Sequence, residues 1–181
     1  MNKILIILFV LVSKLTFAQN SNQMITRLGQ VSFFSYTPVE NIEAYNNQVY
    51  SIIDLSDKKI AVSMLMRAFV FKKALMEEHF NESYVESDIY PKLQFQGIIE
   101  GLDDSDIQTR IVKGSIDFHG IQKEVEIKTR IEKTKENYLL TGDMEISILD
   151  YKIKVPPLLA PNIAQRIKIS FKFEYNLYEK K

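Results

Sequence analysis

Residues 167–177 read IKISFKFEYNL, and this stretch decides the fold class. Ile167, Ile169, Phe171, Phe173, Tyr175 and Leu177 alternate with Lys168, Ser170, Lys172, Glu174 and Asn176. In an extended chain successive side chains point to opposite faces, so a period of two separates an apolar face from a polar one. Residues 124–132 repeat the pattern, with Val125, Ile127, Thr129 and Ile131 set between Glu124, Glu126, Lys128, Arg130 and Glu132. Both runs read as strands buried on one side only.

Working outward, the same parity joins Val112, Gly114, Ile116 and Phe118, then Met144, Ile146 and Ile148. It also joins Leu93, Phe95, Gly97 and Ile99, and Ile60, Val62 and Met64. An early strand opens at Val31 and Phe33, and another runs from Val49 to Leu55. Turn signals separate the runs at Asn46-Asn47, Ser56-Asp57, Asp103 to Asp106, His119-Gly120 and Lys135 to Asn137. About eight strands with hairpin-length connections imply an antiparallel barrel or sandwich. Strands alone do not choose between them. The inward parities are bulky and nearly free of charge, which suits a barrel interior wide enough for side chains or one small ligand.

Two stretches break the strand pattern. Leu75, Met76, His79, Phe80 and Tyr84 fall near helical spacing, so a short helix is expected between Lys72 and Val85, closed by Pro91. Pro156, Pro157 and Pro161 cannot donate to a ladder, and the apolar Leu158, Leu159 and Ala160 between them suggest a loop folded over an opening or edge.

The amino terminus reads as a signal peptide, residues 1–18. Lys3 is followed by the apolar run Ile4 to Val12 and by Ala18 before Gln19. The run is shorter than the roughly 20 residues of a membrane span, so no transmembrane anchor is expected. The mature domain would then be residues 19–181, placed in the periplasm or secreted. The full chain has 23 basic and 23 acidic residues, and loss of Lys3 and Lys14 leaves 21 against 23. This balance offers no footprint for nucleic acid. Cysteine is absent, which excludes disulfides, thiolate metal sites and cysteine nucleophiles.

The chemistry-bearing residues are few. His79 sits beside Glu77, Glu78 and Glu82 without the paired-histidine spacing of a zinc protease, and it reads as polar helix surface. His119 precedes Gly120 and reads as a solvent-facing turn residue. Asp103, Asp104 and Asp106 lack the spacing and central glycine of a calcium loop, and read as a solvated hairpin tip. No nucleophile elbow or phosphate-binding glycine loop occurs. No catalytic residue, metal ligand or cofactor is assigned, and the chain is expected not to be an enzyme.

Several segments resemble the YceI-like family. Phe33-Phe34-Ser35-Tyr36-Thr37-Pro38 is similar to its first strand, and Met76 to Glu86 followed by Tyr90-Pro91-Lys92-Leu93-Gln94-Phe95 is the most specific match. Val112-Lys113-Gly114 through Phe118-His119-Gly120-Ile121-Gln122-Lys123 resembles the family's glycine hairpin, with Glu124 where the family often has proline. Asp150-Tyr151-Lys152-Ile153, Pro156, Ala164 and the last strand resemble its carboxyl-terminal end. The resemblance implies an extended antiparallel lipocalin-like β-barrel and a partner such as a polyisoprenoid, a quinone or another long-chain lipid, its tail inside the barrel. Phe33, Phe69, Phe71, Met76, Phe80, Phe95, Phe118, Ile146, Leu158, Leu159 and Phe171 are the expected tunnel lining. By themselves the aromatic residues read as a packed core, and it is the resemblance that sets a ligand tunnel level with it. A filled-core interaction module, a homodimer through an exposed strand edge, is therefore the alternative.

Overall fold

The structure is a computed structural model that describes residues 22–37, 40–135, 137–155 and 163–178. Its strands are β1 (Gln23–Ser35), β2 (Ile42–Asp54), β3 (Lys59–Leu65), β4 (Val70–Phe71), β5 (Lys92–Ile99), β6 (Ile107–Phe118), β7 (Ile121–Lys133), β8 (Tyr138–Ser147) and β9 (Arg166–Leu177). Every pairing is antiparallel, and β1 pairs with both β2 and β9. The sheet therefore closes into an eight-stranded barrel in the order β1-β9-β8-β7-β6-β5-β3-β2. The short β4 stands outside the ring, against the stretch of β2 that extends past β3. Closure leaves almost no free edge, which is how an up-and-down barrel satisfies its backbone.

The strongest alternations become strands with the expected faces. In β7 Ile127, Thr129 and Ile131 are buried, and in β5 Leu93, Phe95 and Ile99 are. Two expectations are corrected. The first strand begins at Gln23, eight residues before Val31, and the second begins at Ile42 and runs through Asn46-Asn47 without turning. Two register shifts in the β1–β2 ladder, between Thr26 and Gly29 and between Gly29 and Val31, break the period of two and hide both strand starts. Asn46 is buried there: its Nδ2 donates to the Leu65 carbonyl at 3.0 Å, and its Oδ1 accepts from the Gln48 amide at 2.9 Å. The side chain satisfies backbone groups that the bulge leaves without ladder partners.

One end of the barrel is filled. Ile53, Ile99, Ile131, Leu140 and Tyr175 are fully buried in it. The Tyr175 hydroxyl lies 2.7 Å from Ser51 Oγ, which itself donates to the Ala61 carbonyl at 2.8 Å. Ser51 has only one hydrogen, so the phenol is the donor to Ser51. Burial pushes the Tyr175 phenol far above the ordinary tyrosine range. At the same end, Gln108 caps the hairpin tip by donating to the Asp103 and Ser105 carbonyls. The acidic tip is thus a hydrogen-bonded turn, with Asp103 accepting from the Ser105 amide at 2.9 Å.

Candidate ligand cavity

The other end of the barrel is open. Between β3 and β5 the chain leaves the sheet as a turn at Met66–Ala68, then β4, helix α1 (Ala74–His79) and a π-helical turn at Phe80–Tyr84. This matches the helix expected between Lys72 and Val85. Pro91 precedes β5, and the Met66 amide donates to its carbonyl at 2.9 Å. Together these residues form a lid across the mouth. Leu75, Met76, Phe80, Tyr84 and Val85 face the cavity beneath it, of about 340 Å³. The opposite walls come from Val31, Phe33, Met64, Leu93, Phe118, Ile146, Ile167 and Ile169, on the inner faces of six strands.

The chemistry of this lining is almost uniform. Among the described residues that line it, only Ser35, His79 and Tyr84 carry side-chain oxygen or nitrogen. Phe33, Phe69, Phe71 and Phe80 form one aromatic cluster below the lid. Phe33 and Phe80 each meet the other three rings, with Phe80 centroids 5.5, 5.6 and 5.0 Å from Phe33, Phe69 and Phe71. Such spacings are those of favourable offset and edge contacts. Burial pushes the Tyr84 phenol upward, so it stays neutral at ordinary pH. An apolar guest would find dispersion partners throughout and no charged group along the barrel walls.

Seven of the expected lining residues meet here: Phe33, Phe69, Phe71, Met76, Phe80, Phe118 and Ile146. Phe95 and Phe171 lie deeper, around a smaller inner cavity of about 70 Å³ that shares Val31, Met64, Leu93 and Ile169 with the outer one. Leu158 and Leu159 lie outside the described residues. Sequence reasoning missed Ile42, which begins the strand whose start the bulge conceals.

His119 also departs from expectation. Its side chain is only 8% exposed, held between Glu86 and the Tyr151 carbonyl, rather than facing solvent from its turn. The turn itself is as expected, with His119 and Gly120 at φ 53° and 70°. His79 stands at the cavity rim on the exposed face of α1. No group of three or more metal-ligating side chains occurs among the described residues, and no described helix is long and apolar enough to cross a membrane.

Known proteins with this architecture include a polyisoprenoid binding domain from Saccharophagus degradans implicated in plant cell wall breakdown. It is 11% identical, with a TM-score of 0.75 over 87% of this chain and 99% of that one. BcnA of Burkholderia cenocepacia is 12% identical, with a TM-score of 0.69 over 81% of this chain and 95% of that one. The YCEI protein of Campylobacter jejuni is 16% identical, with a TM-score of 0.64 over 81% and 90%. At these identities the likeness is one of fold. Among curated proteins none matches. The sequence itself goes further, because residues 19–175 match the YceI-like domain from its first strand into its last. With the closed barrel and its lid in place, that match makes the chain a member of the YceI-like family.

Proposed function

We propose that the barrel binds the apolar chain of an amphiphilic lipid, a polyisoprenoid or a quinone tail, and carries it without transforming it. The observation behind this reading is the open cavity, whose described lining is hydrocarbon apart from one methionine-rich edge and three polar side chains at Ser35, His79 and Tyr84. A side-chain-filled barrel would leave no such space. The structural likeness to a polyisoprenoid binding domain supports the same ligand class. The cavity volume sits at the small end of the range for ligand sites, about 300–1,000 Å³, so it suits one chain. The leader-like residues 1–18 and Ala18-Gln19 support export to the periplasm or beyond.

Hydrophobic burial would supply the affinity, at about 0.8 kcal/mol per methylene before ordering costs. Prenyl alcohols of increasing length should therefore displace bound Nile red with an affinity rising about fourfold per added methylene until the cavity is full. Phe80→Lys places an ammonium within the aromatic cluster. It should abolish Nile red binding while the far-ultraviolet circular dichroism of the barrel persists. Unchanged binding in a folded Phe80→Lys protein, or affinity indifferent to chain length, counts against the reading.

A further inference from the structure

The lid is tied down at its carboxyl-terminal end by a polar contact beside the cavity, between Glu86 and His119. Glu86, just past the π-helical turn, meets His119 from the β6–β7 hairpin, with Oε2 3.1 Å from Nε2. The other ring nitrogen, Nδ1, is 2.9 Å from the Tyr151 carbonyl, in the turn after β8. The Tyr90 ring covers the imidazole at 4.4 Å between centroids. One side chain thus joins three segments around the mouth. The adjoining residues Val85, Phe118, Ile148 and Ile153 all line the cavity.

The donor count fixes the protonation state that this arrangement needs. A backbone carbonyl only accepts, so Nδ1 carries a hydrogen. Nε2 then faces a carboxylate oxygen, which also only accepts. Both bonds exist together only when the His119–Glu86 pair holds one extra proton, as an imidazolium or as a carboxylic acid. Without it the neutral ring has one hydrogen for two acceptors, so either the 3.1 Å contact to Glu86 or the 2.9 Å contact to the Tyr151 carbonyl is left without a donor. The titratable groups packed on the ring are Glu86 and Tyr90, and Lys123 and Asp150 form an exposed pair beside the Tyr151 turn. The backbone marks the same place. Of the four non-glycine residues with positive φ among those described, Glu86, His119 and Lys152 flank this contact. Left-handed conformations at such residues persist where surrounding contacts hold them.

We propose that His119 is a proton-operated clasp on the lid: the Glu86–His119–Tyr151 bridge is complete when the pair holds the extra proton, and one of its two bonds is lost when that proton leaves at higher pH. The lid then loosens over the cavity while the barrel stays folded. The sign follows from the count. The extra proton is bound in the clasped state, so clasping is favoured at low pH and weakened at high pH.

Hydrogen exchange of the full chain tests this without any ligand, so it stands or falls separately from lipid binding. Exchange rates of lid amides 74–90 would be divided by their intrinsic rates at each pH. From about pH 5.5 to about pH 8, lid protection should fall by about tenfold, the worth of a charge-assisted hydrogen bond, while barrel amides keep theirs. Glu86→Gln supplies an amide that donates to neutral Nε2, so its lid should stay protected at both pH values. His119→Asn keeps a residue that accepts positive φ and should leave the lid weakly protected at both. Wild-type lid protection that is flat with pH, or the same pH slope in Glu86→Gln as in wild type, overturns the clasp.

Discussion

Three phenylalanine rings line the inside of this barrel, and each lies against a glycine. An added Cβ at Gly97 would meet the Phe95 ring at 2.7 Å, at Gly142 the Phe171 ring at 2.6 Å, and at Gly29 the Phe173 ring at 2.7 Å. The rings lie over strand backbone that carries no side chain, around the smaller inner cavity. Gly114 has a different neighbour. Its Cβ would come within 2.1 Å of the Gln96 carbonyl oxygen, in backbone that cannot swing aside. Gly114→Ala should therefore destabilise the fold by about 3 kcal/mol or more, read as a lowered urea midpoint. An unfolding free energy within about 0.5 kcal/mol of wild type would show that β5 and β6 can part at this register. Tyr175 makes a pH prediction. Its phenol is held neutral in the fold above the ordinary range, so the unfolded chain loses its proton first. Stability is intact below about pH 10 and declines above it, by up to about 1.4 kcal/mol per pH unit. Tyr175→Phe should flatten that decline, at a loss of about 1 kcal/mol at neutral pH from the missing Ser51 contact. An alkaline limb unchanged in Tyr175→Phe would assign the decline to other groups.

At the scale of elements, the ladder is most irregular where β1 and β2 meet. Asn46 bonds both the Leu65 carbonyl and the Gln48 amide there. Asn46→Ala leaves those groups buried without partners and should cost about 1–3 kcal/mol in denaturant unfolding. A loss below about 0.5 kcal/mol would mean that the bulge is held by the ladder alone. This same irregularity set the limit of what the sequence disclosed. The unbroken alternation of Ile167 to Tyr175 and of Val125 to Ile131 is the direct image of a half-buried strand, so β7 and β9 were legible residue by residue. Where a bulge resets the parity, polar Asn46-Asn47 imitates a turn although the chain runs on extended. The lid was legible as a helix from Leu75, Met76, His79 and Phe80, because helical spacing survives even in so short an element. His119 was not legible. Its local sequence is a turn, and only the fold brings Glu86 and Tyr151, 33 and 32 residues away, to its ring.

For the whole molecule, one closed sheet performs two tasks at its two ends. The filled end, with Tyr175 and the large aliphatic side chains, holds the barrel together. That leaves the open end free to keep an apolar cavity under a lid made of few residues. Seven of the eleven lining residues named from sequence lie at that cavity, Phe33, Phe118 and Ile146 on strand faces and Phe69, Phe71, Met76 and Phe80 in the segment that crosses the mouth. Phe95 and Phe171 share the inward parity but sit deeper, at a height along the strand that alternation does not encode. Native mass spectrometry of the purified protein, followed by organic extraction, shows whether this space holds a lipid chain. A stoichiometric prenyl or acyl species should be lost on denaturation and recovered in the extract, or be taken up at one per chain when prenyl lipid is added to an empty protein. A protein that stays at its polypeptide mass after both purification and loading would contradict the proposed lipid binding.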